Sequence, residues 1–287
     1  ALDGGAGDDY LNGGAGDDQI LGAAGDDRLL GGAGRNTLVG GSGDDRYYLS
    51  SAVDRIVENT NEGYDMVVTN NVDVILPANV EALYMEGRAN LLGRGNELDN
   101  ALLGNDGNNI LEGGYGDDVI NGELGNDVVI GGAGDDVLAG GSDNDIGGND
   151  VLLGGDGADA MYGNGGNDVL DGGAQGDYMV GGAGNDSFIF HAADMFTIDS
   201  PYPTPSLLDN AADFQGAGSD SPGDQDVLIF VGFGAGARLE FDHYGYTKDA
   251  QFYRVVDPTN PAHNALILIG MADGATAQLR ASDYLFQ

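Results

Sequence analysis

The feature that most constrains this chain is a repeat of nine residues. From Gly4 the sequence reads GGAGDDYLN, GGAGDDQIL, GAAGDDRLL, GGAGRNTLV and GGSGDDRYY, five units without a gap. A second series begins at Gly104 and runs through nine units to about Phe190. A fixed period of this kind indicates a solenoid, because each unit forms the same turn and strand and stacks on its neighbours.

Each unit predicts a six-residue turn followed by a three-residue strand. Glycines at the first, second and fourth positions allow left-handed backbone conformations that other L-residues resist. The eighth position is apolar and should face inward, while its two neighbours face outward. Two units would complete one coil, so residues 18 apart would stack. The predicted inward residues include Leu11, Ile20, Leu29, Leu38, Ile120, Val129, Leu138 and Leu170.

The sixth position carries Asp or Asn in every unit. Two stacked turns would bring two of these side chains and several backbone carbonyls together, which makes an all-oxygen cage suited to Ca²⁺ at about 2.3–2.6 Å. One long unit, GGSDNDIGGNDVLL, offers both Asp145 and Asp150 and leaves the choice between them open. The predicted ligands are Asp9, Asp18, Asp27, Asn36, Asp45, Asn109, Asp118, Asp127, Asp136, Asp145, Asp150, Asp159, Asp168, Asp177 and Asp186.

Pairing each unit with the second unit after it predicts ten sites and roughly eight to twelve Ca²⁺ ions. Arg35 and Asn36 replace Asp-Asp, so the Asp18/Asn36 site should be weak or empty. Asp143 and Gln175 replace the usual fourth-position glycine and should strain their turns. The expected pairs are Asp9/Asp27, Asp18/Asn36, Asp27/Asp45, Asn109/Asp127, Asp118/Asp136, Asp127/Asp145, Asp136/Asp159, Asp150/Asp168, Asp159/Asp177 and Asp168/Asp186.

The unit GGxGxDxUx resembles the nonapeptide of the RTX (repeats-in-toxin) proteins. The resemblance directly covers about half of the chain. It implies an all-β fold, a right-handed parallel β-roll or β-helix, with Ca²⁺ as cofactor and the type I secretion machinery as a partner. The last seven residues, ASDYLFQ (281–287), look like the uncleaved tail of type I exported proteins. The same residues also fit a last strand of a cap.

Charge and composition agree with a calcium-filled solenoid. Acidic residues outnumber basic ones 48 to 10, giving a net charge of −38 that opposes compaction unless cations are built into the fold. The chain has no Cys, so disulfides are excluded. No apolar run reaches the roughly 18 residues of a membrane span. Ten scattered basic residues do not form a nucleic-acid-binding stripe.

The chain starts in mid-pattern at Ala1 with no visible signal peptide, which suggests a fragment or a processed product.

The sequence divides into four regions. Residues 1–48 form the first array, 49–95 a β-rich spacer, 96–190 the second array, and 191–287 a C-terminal β cap that includes the secretion-signal-like tail. The spacer lacks the glycine pattern and is expected to continue the solenoid without regular calcium sites. In the cap, Asp213, Asp224 and Asp226 are either additional calcium ligands or ordinary turn formers.

No catalytic motif is found. His191, His243 and His263 lack metal-ligand spacing, and no Gly-x-Ser-x-Gly elbow occurs, so the chain is not expected to be an enzyme. Three functions stay open for a secreted or cell-surface chain. It could be a non-catalytic module that folds on calcium and supports secretion. It could be a structural adhesin, matrix or surface-layer subunit that self-associates. It could be the C-terminal part of an exoenzyme, with repeats that hold an extracellular polysaccharide.

Overall fold

A computed structural model describes residues 1–141, 148–192, 210–214, 227–244, 250–260, 265–271 and 284–287. Within these ranges the regular secondary structure consists of strands, without a helix. The described residues therefore contain no helix long and apolar enough to cross a membrane. The expected all-β fold is confirmed.

The strands follow each other at short intervals along the chain. Six lie in the first array: β1 (Leu2–Ala6), β2 (Tyr10–Asn12), β3 (Gln19–Ala24), β4 (Arg28–Leu30), β5 (Thr37–Ser42) and β6 (Arg46–Leu49). Five cross the spacer: β7 (Arg55–Val57), β8 (Met66–Thr69), β9 (Val74–Ile75), β10 (Ala82–Met85) and β11 (Leu92–Arg94).

The second array and the C-terminal region supply the other strands. The second array contributes β12 (Ala101–Leu103), β13 (Ile110–Tyr115), β14 (Val119–Asn121), β15 (Val128–Ala133), β16 (Val137–Ala139), β17 (Val151–Asp156), β18 (Ala160–Gly165), β19 (Val169–Ala174), β20 (Tyr178–Ala183) and β21 (Ser187–His191). The C-terminal region contributes β22 (Asn210–Phe214), β23 (Val227–Val231), β24 (Arg238–Tyr244), β25 (Ala250–Val256), β26 (Ala265–Met271) and β27 (Tyr284–Phe286).

Successive strands of the arrays and the spacer alternate between two layers. Even-numbered strands from β2 to β22 pair in order in one sheet, which β26, β25 and β24 extend. Odd-numbered strands form a four-stranded sheet, β1 to β7, and a nine-stranded sheet, β9 to β23 followed by β27. All pairs are parallel except β24 with β25 and β25 with β26. This alternation is the arrangement that two units per coil predict, and the expected parallel β-solenoid is confirmed.

The core is a stack of apolar side chains between the two layers. In the even-numbered sheet, Leu29 lies opposite Tyr47, Tyr47 opposite Val67, and Leu83 between Val67 and Leu102. All five are almost completely buried. The predicted eighth-position residues are confirmed as core, except that Leu11 in the first coil is only partly buried. Each buried aliphatic side chain stabilises the coil by about 1.5–3 kcal/mol.

The spacer continues both layers although it lacks the nonapeptide. Strands β8 and β10 pair with each other and join β6 to β12, so the even-numbered sheet runs from the first array into the second. The coils of the spacer do not keep the constant length of two repeat units. The strand pairings show this, since Tyr47 lies opposite Val67 and Leu83 opposite Leu102. Stacking, and not the exact length of the loops, therefore maintains the solenoid here.

Solenoid stacking also extends beyond the second array. Strand β23 pairs with β21 in parallel, and its Leu228 and Phe230 are buried. Strand β27, part of the secretion-signal-like tail, pairs with β23.

Gln175, at a fourth position that usually carries glycine, has a φ of +84°, in keeping with the expected strain at that turn. Asp143 lies outside the described residues.

Candidate metal centre

Within each array, sixth-position side chains form a ladder along the edge that precedes the even-numbered strands. The backbone N–H of each residue donates to an Oδ1 atom one coil further on. The N–H of Asp9 donates to Asp27 at 2.8 Å, and that of Asp27 to Asp45 at 2.8 Å. In the second array, Asp118 donates to Asp136 at 2.8 Å and Asp136 to Asp159 at 2.9 Å. Stacked turns thus bring the paired carboxylates together at one edge of the solenoid.

A second ladder precedes the odd-numbered strands and decides between the two residues of the long unit. The N–H of Asp127 donates to Oδ1 of Asp150 at 2.7 Å, and the N–H of Asp150 donates to Asp168 at 2.8 Å. Asp150 therefore occupies the sixth position, and the predicted pair Asp127/Asp145 is replaced by Asp127/Asp150. The five extra residues of this unit therefore precede Asp150 in the sequence. Asp145 itself lies outside the described residues.

The second carboxylate oxygen of many ladder residues is buried and has no hydrogen-bond partner. Such an oxygen carries a large desolvation cost unless a cation or a proton compensates it. This group includes Oδ2 of Asp9, Asp18, Asp27, Asp45, Asp118, Asp136 and Asp159. Orphaned anionic oxygens in a repeating row fit a row of bound cations.

First-position glycines keep a small space open beside these oxygens. A Cβ on Gly22 would overlap Oδ2 of Asp27 and would lie 2.7 Å from the carbonyl oxygen of Gly40, one coil further on. The same arrangement recurs at Gly131, beside Asp136. Any larger residue would fill the space into which a carboxylate and a carbonyl oxygen both point. Hard oxygen donors of two types, without sulfur or nitrogen, suit Ca²⁺.

The electrostatics of the ladder favour a positive partner. Burial raises the pKa of Asp118 and of Asp159 to about 7 and that of Asp136 to about 6, and neighbouring carboxylates add to the shift. The backbone N–H bonds received by these carboxylates lower the pKa only in part. None of the three forms a salt bridge within the described residues. Protein groups therefore compensate their charge only in part.

Fifth-position residues form an outer ladder that is exposed to solvent. On the edge preceding the even-numbered strands, the N–H of Asp135 donates to Oδ1 of Asp117 at 2.9 Å, and Asp135 accepts from Ala158. On the opposite edge the corresponding residues of the second array are asparagines. There the N–H of Asn167, for example, donates to Oδ1 of Asn149. These side chains bind the coils together at the surface, but they do not share the burial of the sixth-position ladder.

Several ladder members lie outside the nonapeptide pattern and were not predicted. Asp54 accepts from the N–H of Asn36, Asp65 from that of Asp45, and Glu81 from that of Asp65. Asn100 donates its N–H to Asp118. Spacings of 18 residues from Asn36 to Asp54 and from Asn100 to Asp118 are a sequence signal that could have identified two of them. The others follow coils of irregular length and carry no such signal.

The remaining predicted ligands differ in what the structure describes. Asn109 is buried and belongs to the ladder, since its N–H donates to Asp127 at 2.6 Å. The backbone of Asp213 lies in β22, while Asp224 and Asp226 lie outside the described residues. Calcium binding at these cap residues stays a prediction.

Asn36 replaces a carboxylate with a neutral amide inside the ladder. It is completely buried, and its Nδ2 donates to Oδ1 of Asp54 at 2.9 Å. The amide N–H group therefore occupies the side of the turn at which other units present a carboxylate oxygen. This arrangement supports the expectation that the Asp18/Asn36 site is weak or empty.

Restoring the carboxylate should create a calcium site. In the double variant Arg35→Asp/Asn36→Asp, we expect the calcium stoichiometry to rise by about one, because a charged oxygen ligand replaces an amide donor and a neighbouring cation is removed. Isothermal titration calorimetry measures the change. Arg35→Asp alone is the matched control and should add no ion, since residue 35 is an exposed fifth-position residue. An unchanged stoichiometry in the double variant would contradict the assignment of this turn.

Comparisons with solved structures yield 33 matching chains. The solution structure of the AlgE6R3 subunit from the Azotobacter vinelandii mannuronan C5-epimerase is 26% identical, with a TM-score of 0.39, over 54% of this chain and 80% of its own. The AlgE6R2 subunit of the same epimerase is 22% identical, with a TM-score of 0.34, over 69% of this chain and 92% of its own. No curated protein sequence matches the chain.

A family model also matches both arrays. The model of the RTX calcium-binding nonapeptide repeat matches residues 1–29, 21–56, 94–129, 112–146 and 153–188. Together these ranges span half of the chain, and they contain the sixth-position residues of both ladders except Asp150. The chain therefore belongs to the family of RTX calcium-binding repeat proteins.

Proposed function

We propose that this chain is a non-catalytic module of a secreted bacterial protein, which folds when it binds calcium outside the cell and so supports type I secretion. The observation that carries the proposal is the row of buried carboxylate oxygens without hydrogen-bond partners at the stacked turns. Cation binding at these turns would be coupled to folding, because the carboxylates come together only when the coils stack.

The calcium concentration of each compartment would determine whether the chain folds there. At an extracellular-type Kd of about 10⁻⁴ M, millimolar calcium stabilises each site by about 1.4 kcal/mol. Micromolar calcium, the upper range of the cytosol, contributes almost nothing by the same relation. The chain would therefore stay unfolded and competent for export inside the cell and would fold after release.

The number of bound ions tests the proposal directly. We expect roughly eight to twelve Ca²⁺ ions, mostly in two rows along the edges of the solenoid, because ten pairs of turns are available. Equilibrium dialysis with metal analysis gives the stoichiometry, and an experimental structure in millimolar calcium gives the positions. Three or fewer ions at the stacked turns would refute the proposed function.

A further inference from the structure

A second kind of acidic site lies where the first array meets the spacer. Carboxylate oxygens of Asp45, Glu58 and Asp65 all lie within 4.8 Å of one another. The three side chains come from different coil segments: Asp45 precedes β6, Glu58 follows β7, and Asp65 precedes β8. All three are buried, with relative exposures of 0%, 7% and 1%. Three carboxylates so close together in the interior need a positive partner or protons.

Tyr47 provides an independent sign that the cluster holds a ligand. Its side chain is completely buried, and its hydroxyl has no hydrogen-bond partner. A Cβ on Gly40 would overlap both this hydroxyl and Oδ2 of Asp45, and would lie 2.6 Å from Oε1 of Glu58. Oxygen atoms of three different side chains therefore surround one small space that a glycine keeps open. A buried tyrosine hydroxyl normally finds a partner, so one is missing here.

The nonapeptide pattern alone does not account for this cluster. Glu58 is not a sixth-position residue and lies in the spacer, outside the pattern. Both of its carboxylate oxygens are buried and accept no hydrogen bond from an N–H or hydroxyl group of the described residues; the neighbouring Glu62 carboxyl could be a partner only by sharing a proton. The sixth-position carboxylate of Asp45 serves two purposes, since its Oδ1 accepts from Asp27 while its Oδ2 faces the cluster. The backbone N–H of Asp45 also donates to Oδ1 of Asp65 at 2.9 Å, which holds two of the carboxylates in place.

Electrostatics agree with a missing cation. Burial raises the pKa of Glu58 to about 9, and the charges of Asp65, Asp45 and Glu62 add to the shift. Burial likewise raises the pKa of Asp45 to about 7 and that of Asp65 to about 6. No salt bridge within the described residues involves these three side chains. A divalent ion bound among the three carboxylates would compensate their charge.

We propose that Asp45, Glu58 and Asp65, with the hydroxyl of Tyr47, bind one hard divalent cation of the Ca²⁺ class beside Gly40, at a repeat turn to which Glu58 and Asp65 add ligands from the spacer. Every donor in the set is oxygen, which favours calcium over metals that prefer nitrogen or sulfur. The ion would join the last coil of the first array to the first coil of the spacer. The inference extends the proposed function, because only Asp45 is shared with a repeat site.

The test compares Glu58→Gln with Glu97→Gln by calcium titration and thermal unfolding in millimolar calcium. Gln has nearly the shape of Glu and removes one ligand charge, whereas Glu97 is an exposed residue at the start of the second array with the same charge change. We expect Glu58→Gln to bind one ion fewer and to unfold at a lower temperature, and Glu97→Gln to match the wild type. Wild-type stoichiometry and stability in Glu58→Gln would overturn the site and indicate a protonated carboxyl instead. That result would leave the repeat sites untouched, because none of their predicted ligands is changed.

A luminescence experiment gives a second measurement, which reports on the bound ion and not on the unfolding temperature. The chain has 13 Tyr and no Trp, so tyrosines alone would sensitise a terbium ion bound in place of calcium. We expect Tyr47→Phe to lower the sensitised emission in the wild type but to have no further effect in Glu58→Gln. Equal losses in both backgrounds, or no loss from Tyr47→Phe in the wild type, would overturn the site.

Discussion

In excess chelator at about pH 8, we expect the chain to lose most of its β-sheet circular dichroism and its compact radius, and about 1 mM calcium to restore both. A net charge of −38 spread over closely stacked turns destabilises the coil when no cation is bound. Its 53 glycines add to the loss, since glycine gives up the most conformational entropy when it becomes ordered.

Calcium binding is large enough to reverse that balance. About ten independent sites with a Kd near 10⁻⁴ M would together contribute about 14 kcal/mol in millimolar calcium. This is as large as the whole stability of a typical domain, about 5–15 kcal/mol. Circular dichroism and small-angle scattering, each with and without chelator, measure the switch. A chain that keeps its full β signal and compact radius in chelator would contradict it, even if it still bound calcium.

The pH of this experiment matters because protons can replace calcium in part. The folded-state pKa values of Asp118, Asp136 and Asp159 are raised to about 6–7, while their ordinary value is 3.8. Between these values the folded chain binds more protons than the unfolded chain. Stability in chelator should therefore rise as the pH falls from about 7 towards 4, and fall as the pH rises. The chelated chain should be least folded near pH 8 and partly refold near pH 5, as about two pH units suffice to change the protonation of these groups.

A second large effect, on calcium binding and on stability, is expected when one buried carboxylate of the second array is replaced. Asp136→Asn should reduce the calcium stoichiometry by up to two, because Asp136 takes part in the pairs with Asp118 and with Asp159. Two lost sites correspond to about 3 kcal/mol in millimolar calcium, which lowers Tm by several degrees in a chain of this size. An asparagine at 136 can still accept the N–H of Asp118, so the loss should come from metal binding and not from the ladder itself.

Its neighbour Asp135 offers a closely matched control. Asp135→Asn makes the same change of charge one residue away, at an exposed fifth position whose Oδ1 accepts from Ala158. We expect this variant to keep the wild-type stoichiometry and nearly the wild-type Tm in calcium, since an exposed charge is screened by solvent. Titration calorimetry and thermal unfolding compare the two variants. Equal losses in both would mean that net charge, and not ligation at the sixth position, controls stability.

The sequence by itself determined the parts of this protein that repeat. A period of nine with an apolar eighth position was sufficient to predict the coil, its parallel stacking and core residues such as Leu38 and Leu138. It also placed Asp118 beside Asp136, because residues 18 apart must meet when two units complete a coil. The same pattern recurs in every unit, so a single departure such as Arg35 does not hide it.

Only the tertiary structure decided what happens where the period is broken. The choice of Asp150 in the long unit depends on which residue reaches the turn of the next coil, and both candidates have the same chemistry. Glu58 approaches Tyr47 and Asp65 because coils of unequal length stack across the spacer, and no spacing along the chain encodes that contact. Irregular loops have no register of their own, so the packing of the coils on either side determines which of their side chains become buried.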